Sequence, residues 1–247
     1  MGFRVAILGC GTVGGGVARI LLEQNEALRQ RSGQEVELVR IVDLFPQQSA
    51  ERHGLPRELY AGAGPELTLE EAEAATQEIL SDPGIDVVVE TVGGSGDAVL
   101  GIARAVLEHG KHLVTANKAL LAMRGEELLK LADKQGRGLG FEAAVCGAIP
   151  IIKGLNECLT GDEVLSISGI MNGTSNYILS KMASEGQSFD AALKDAQDKG
   201  YAEAELGQMT DFVYELAAVF EGPGQTGFDA LRIRTGSRVP GSGQGSP

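Results

Sequence analysis

Six residues near the amino end, Gly9-Cys10-Gly11-Thr12-Val13-Gly14, carry the spacing G-x-G-x-x-G between an apolar run, Phe3–Leu8, and an amphipathic stretch, Gly15–Arg29. A strand, glycine turn and helix in that order can hold a dinucleotide. The first glycine makes the tight turn, the second lets the backbone approach a pyrophosphate, and the third lets helix and strand pack closely. Thr12 and Val13 open the helix, whose free N–H groups and partial positive charge face the phosphates. A second apolar run, Val36–Val42, ends in Asp43, placed as an acid that binds a ribose hydroxyl. Arg40 on the same run suits a 2′-phosphate instead, so NAD and NADP both stay open. The alternative is an α/β domain whose glycines serve only packing.

Five further constellations could carry chemistry. Glu90-Thr91-Val92-Gly93-Gly94 follows the apolar run Ile85–Val89, and Thr115-Ala116-Asn117-Lys118 ends the next one. Ligands of an open parallel sheet bind beyond the carboxyl ends of its strands, so both segments belong beside one cleft. Lys118 there can donate to a carbonyl oxygen or serve as acid and base, or be a solvated surface lysine. Glu142 heads a small, apolar loop through Val145, Cys146, Gly147, Ile149 and Pro150, which reads as a cation site of backbone carbonyls or as a domain hinge. Gly169–Tyr177, with Gly173 and Thr174 at its middle, runs from a strand into a helix, and its hydroxyls, amide and free helix N–H groups suit a carboxylate. Gly200-Tyr201-Ala202-Glu203-Ala204-Glu205 supplies carboxylates for a substrate ammonium, or an acidic solvated loop.

The elements that must position these groups alternate in the α/β manner. Strands are expected at Phe3–Leu8, Val36–Val42, Ile85–Glu90, His112–Thr115 and Gly138–Glu142. Helices are expected at Val13–Arg31, Pro46–Gly54, Leu67–Leu80, from an Asp97 cap through His109, and at Gly125–Gln135. Pro150 opens a different region, with helices Ile151–Cys158, Thr174–Ser184 and Phe189–Lys199 and a strand Val164–Ile170. Thr210–Phe220 has helical spacing, and the Gly-, Ser- and Pro-rich end reads as a disordered tail. The fold class is thus a Rossmann-type doubly wound parallel sheet followed by an incomplete α+β substrate and dimerisation domain. The expected boundaries are 1–148 for dinucleotide binding, 149–220 for the partial substrate domain and 221–247 for the tail.

The 247 residues are 43% hydrophobic, enough for a core in two modest domains, and the net charge of −13 argues against nucleic acid or an anionic membrane as partner. Cys10, Cys146 and Cys158 show no CxxC spacing, which fits reduced thiols rather than a disulfide or zinc scaffold. No apolar run reaches membrane-spanning length, and the first strand begins at once, without signal-peptide layout. A cytoplasmic location is expected.

Taken together and in this order, the segments from Phe3 to Glu205 resemble homoserine dehydrogenase. The most specific are Thr115-Ala-Asn-Lys118, Glu142 through Pro150, Gly169–Leu179 and Gly200-Tyr-Ala-Glu203. The resemblance implies an NAD- or NADP-dependent oxidoreductase that interconverts L-homoserine and L-aspartate 4-semialdehyde, on the route to threonine, methionine and isoleucine. It implies that Gly9, Gly11, Thr12, Val13 and Gly14 form the pyrophosphate turn and that Thr91 and Lys118 lie on the cofactor side. Lys118 is then also the proton-transfer lysine, and Glu203 binds the substrate amino group. Glu142, Val145, Gly147 and Ile149 match the family's sodium site, and a homo-oligomer is the family's normal state.

After Glu205 the resemblance stops. No lysine follows Lys199, and the context of Asp211 does not match the family, so the C-terminal part reads as truncated or frame-shifted. Two other readings follow: a non-catalytic dinucleotide-binding fragment, or a semialdehyde dehydrogenase with Cys146 as nucleophile, which lacks a nearby histidine.

Overall fold

A computed structural model describes residues 2–94, 96–147, 149–162 and 173–199. They fall into two compact units, one ending at Asn156 and the other beginning at Glu157.

The first unit is built on five parallel strands: β1 (Phe3–Leu8), β2 (Val36–Val42), β3 (Val87–Glu90), β4 (His112–Thr115) and β5 (Leu139–Gly140). Their spatial order is β2-β1-β3-β4-β5. The chain winds outward from β1 to β2, then crosses back to lay β3 on the other side of β1. The ends of β1 and β3 therefore flank the point where the winding reverses, which is where open parallel sheets bind ligands. Strand β1 lies inside the sheet, between β2 and β3, and both its faces are apolar. Val5 and Ile7 pack with Ala18, Ile41 and Ala50, whereas Ala6 and Leu8 pack on the opposite face with Val88, Leu100 and Leu113. A continuous apolar run is what a strand covered by helices on both faces requires.

The helices of this unit are α1 (Thr12–Glu23), α2 (Asn25–Ser32), α3 (Pro46–His53), α4 (Leu69–Ser81), α5 (Asp97–Glu108), α6 (Lys118–Gln135) and the short α7 (Ile151–Lys153). The helix expected over Val13–Arg31 is in fact two. The break falls at Gln24, where the Asn25 side chain donates to the carbonyls of Leu21 and Val36, at 3.4 and 2.5 Å. An amide that short competes with the helical ladder. Helix α4 starts after a capping box between Thr68 and Glu71. Asp97 is not the cap of α5: that position is Gly96, and Asp97 is the first helical residue.

Helix α6 begins seven residues earlier than Gly125. Asn117 caps it by accepting from Leu120 N–H at 3.0 Å, and Leu120, Leu128 and Ala132 bury one stripe. Strand β5 is shorter than expected, because Glu142–Ala144 forms a 3-10 turn instead of extending it. Helix α7 continues as a π-helical turn, Gly154–Cys158.

The second unit contains α8 (Gly173–Glu185) and α9 (Phe189–Asp198), packed through Ile178, Ala192 and Ala196. Ser188 caps α9 as expected, accepting from Ala191 N–H at 3.3 Å. Tyr177 donates to Asp195 at 2.6 Å, and Lys199 reaches both, at 2.7 and 2.8 Å, which holds the Asp195 carboxyl below its ordinary range. The strand expected at Val164–Ile170, the helix at Thr210–Phe220 and the tail lie outside the described residues.

Candidate functional site

The glycine turn is held from three sides. Gly9 takes a left-handed backbone, φ +83°, and its amide donates to Val42 O at 2.8 Å. Thr91 Oγ1 donates to Gly9 O at 2.5 Å, tying the end of β1 to the end of β3. A methyl group on Gly14 would lie 2.1 Å from Gly9 O and 2.6 Å from Thr91 Oγ1, so helix α1 approaches the turn as closely as a bare backbone permits. At Gly11 nothing lies within 4 Å of such a methyl, and no side chain caps α1. The turn is thus packed beneath Gly9 and Gly14 and open at Gly11, with the uncapped helix end facing the opening. That is a cradle for a phosphate-bearing group.

Asp43 ends β2 beside it. One carboxylate oxygen accepts from Cys10 N–H at 2.6 Å, the other from Phe45 N–H at 2.8 Å. Arg40 is not brought to this group. It pairs in register with Ala6, three residues short of Asp43, and lines a separate cleft of about 300 Å³ with Gly62, Glu66, Glu71 and Glu78.

Glu90 heads one of the segments the spacing picks out, but the spacing gives it no role. It is fully buried, yet it is the last residue of β3. One of its oxygens accepts from the amides of Val92 and Gly93, at 2.9 and 3.3 Å, and the other from Thr115 Oγ1 at 2.6 Å. Thr115 in turn accepts from Asn117 N–H at 3.0 Å, and Asn117 Nδ2 donates to Gly94 O at 2.6 Å. This chain of bonds fixes the loops after β3 and β4 against each other. The available signal was a carboxylate closing an apolar run, where a buried charge must find donors. Lys118, the first residue of α6, is exposed just beyond this network and has no ion pair among the described residues.

Glu142 caps α7. Its two oxygens accept from Ile152 and Lys153 N–H, at 2.9 and 2.8 Å. The adjoining loop has left-handed backbone at Cys146 and Gly147. The carbonyls of Val145 and Gly147 receive no hydrogen bond from a described residue, whereas that of Ile149 accepts from Ile151 N–H at 2.8 Å. No cluster of three His, Cys, Asp or Glu suited to a metal occurs among the described residues. Gly173 and Thr174 stand in the first turn of α8, in the second unit. Glu203 lies outside the described residues. No helix among them is long and apolar enough to cross a membrane.

Two family models match the chain. One, described as homoserine dehydrogenase, NAD binding domain, covers residues 9–142, and the other, homoserine dehydrogenase, covers 150–208. The homoserine dehydrogenase of Neisseria gonorrhoeae is 43% identical over 202 residues, which is 82% of this chain and 43% of that protein. That of Bacillus subtilis is 39% identical over 204 residues, again 82% and 43%. The crystal structure of a homoserine dehydrogenase from Thiobacillus denitrificans superposes with a TM-score of 0.66 at 40% identity, covering 83% of this chain and 44% of that one. A hyperthermophilic archaeal homoserine dehydrogenase in complex with NADPH gives a TM-score of 0.62 at 25% identity, covering 83% and 63%. The chain therefore spans half or less of the length of the curated relatives it matches.

Proposed function

This chain belongs to the homoserine dehydrogenase family, and we propose that its first unit binds a nicotinamide dinucleotide for the NAD(P)-dependent interconversion of L-homoserine and L-aspartate 4-semialdehyde. The observation that carries the reading is the cradle at Gly9–Gly14, closed beneath by Gly14 and Thr91 and open at Gly11. Residues 1–148 hold the dinucleotide and 149–220 carry the substrate contacts.

When bound, the nicotinamide supplies the redox chemistry; the chain's own residues bind, orient and move a proton. The amides around Gly11, Thr12 and Val13 take the pyrophosphate. Thr91 fixes the turn, and Lys118, exposed at the head of α6, gives or accepts the proton at the substrate oxygen. Gly173 and Thr174 receive the substrate carboxylate and Glu203 its ammonium group. A sodium ion at the 142–149 loop is part of the same reading. The carbonyls of Val145 and Gly147, to which no described residue donates, suit it, with Glu142 anchoring the loop.

We infer further that NAD is preferred to NADP. Asp43 places a negative charge beside the turn, the segment Asp43–Ser49 has no lysine or arginine, and Arg40 faces a different cleft. A 2′-phosphate there meets repulsion without a partner.

The test is homoserine-dependent reduction of NAD and NADP by the purified chain, with dinucleotide binding followed in parallel. Turnover with NAD supports the whole reading. Binding without turnover leaves a dinucleotide-binding fragment, and binding of neither dinucleotide rejects the site.

A further inference from the structure

Beneath the glycine turn lies a ring of hydrogen bonds that begins and ends on one residue. Ser49 Oγ lies 2.8 Å from Cys10 O, Tyr60 Oη lies 2.9 Å from Ser49 Oγ, and Cys10 Sγ lies 3.2 Å from Tyr60 Oη. All three residues are buried. The direction of each bond follows by elimination. A carbonyl oxygen only accepts, so the single Ser49 proton goes to Cys10 O. Ser49 then accepts from Tyr60, whose one proton is thereby spent, and Tyr60 accepts the Cys10 thiol proton. The ring runs thiol to phenol to hydroxyl to the carbonyl of the same cysteine.

Its consequence lies one atom further on. The Cys10–Gly11 peptide is planar and trans, so its N–H points opposite to its C=O. Ser49 draws the Cys10 carbonyl inward, toward α3 and Tyr60. The Gly11 N–H therefore faces the other way, away from Ser49, and a methyl built on Gly11 would meet nothing within 4 Å. Asp43 holds the other end of Cys10, accepting its amide at 2.6 Å, so the residue cannot rotate. We propose that Ser49 and Tyr60 are positioning residues for dinucleotide binding: acting through the Cys10 carbonyl, they aim the Gly11 amide at the pyrophosphate. The proposal rests on the dinucleotide reading of the turn and assigns it two residues that never touch the ligand, from elements outside the glycine motif.

The experiment compares the intact chain with Ser49→Ala, which removes the donor to Cys10 O, and Tyr60→Phe, which keeps the buried ring but loses the relay. Affinities are measured for NADH, ADP-ribose and adenosine. Loss of one such bond corresponds to about a fivefold weakening. That loss is expected for NADH and ADP-ribose, larger in Ser49→Ala than in Tyr60→Phe, with adenosine changed less than twofold. An equal loss for adenosine means that the network only supports the fold and overturns the proposal, as does unchanged affinity for ADP-ribose. If Ser49→Ala does not fold, Tyr60→Phe carries the same comparison. In addition, the Gly11 amide resonance of the unaltered chain must shift on adding ADP-ribose but not adenosine; failure to shift also overturns it. A parent chain that binds neither NADH nor NADPH removes the functional reading itself, whereas a parent that binds beside variants that bind equally well removes only this inference.

Discussion

Gly14 leaves the least room for change of any residue in the turn. A methyl there meets a carbonyl oxygen at 2.1 Å and the hydroxyl bonded to it at 2.6 Å, so no flexible side-chain end can yield. Gly14→Ala is expected to weaken NADH binding at least about tenfold and to destabilise the fold by about 1–3 kcal/mol, as overpacking does. Fluorescence titration and urea unfolding check both, and unaltered binding would show that α1 can withdraw from the turn without cost. Tyr60 makes a second prediction. Burial, helped by the Cys10 contact, pushes its phenol well above the ordinary value. The folded state thus keeps a proton that the unfolded chain loses near pH 10. Stability from this group is intact below about pH 10 and falls as pH rises beyond it. Lys111 acts oppositely over the same range, since burial lowers its pKa. The difference between the parent chain and Tyr60→Phe isolates the tyrosine. Urea midpoints from pH 9 to 11 should fall less in the variant, and parallel slopes would count against the buried, neutral phenol.

At the scale of elements, the Glu90 side chain ties together the loops after β3 and β4, beyond the ladder that pairs the two strands. Replacing Glu90 with Ala leaves the amides of Val92 and Gly93 and the Thr115 hydroxyl without their acceptor. The expected cost is about 2–4 kcal/mol. It should appear as faster amide exchange in residues 91–94 and 115–120, with β1 and β2 little changed. Uniform loss across the sheet would mean that Glu90 supports the core as a whole. The same network explains why α6 starts at Lys118, just after its cap Asn117. Side-chain acceptance from Leu120 N–H and donation to Gly94 O set the helix start, and with it the place of Lys118, from the neighbouring loop. Lys111 does similar work at the opposite end of the strands, donating to the carbonyls of Asp82 and Ile85, at 2.5 and 2.8 Å, to close the turn before β3.

For the molecule as a whole, the crossover between β1 and β3 puts the glycine turn, Asp43, Thr91 and Lys118 at one end of the sheet. A ligand bound there stabilises only the folded state. NADH at a hundredfold over its dissociation constant should add about 2.7 kcal/mol to the unfolding free energy of the first unit, and NADPH at the same concentration less. Thermal melts read the difference. A larger effect of NADPH would reverse the cofactor preference drawn from Asp43. Turnover is a separate matter from binding, because the chain spans 43% of the relatives in Neisseria and Bacillus.

The amino-acid sequence by itself determined the parallel sheet, the dinucleotide turn and the family. Doubly apolar runs such as Val5–Leu8 can sit only between two helical layers, and the spacing of Gly9, Gly11 and Gly14 is a local property of strand, turn and helix. It likewise placed Ser188 as the cap of α9, a bond that spans three residues. What only the tertiary structure decided depends on contacts between distant segments. In sequence Glu90 is only the end of an apolar run; its bond from Thr115, 25 residues away, exists only in the packed sheet. In sequence Arg40 and Asp43 stand as alternatives for the ribose, and β2 sets Arg40 on the lining of another cleft. The helix expected from Gly125 begins seven residues earlier, at Lys118, because Asn117 caps it there. The ring joining Cys10, Ser49 and Tyr60 needs α3 and the segment after it folded back under β1, 39 and 50 residues along the chain. A hydroxyl records nothing in sequence of which carbonyl it will meet, so side-chain to backbone bonds of long range become visible only once the layers are packed.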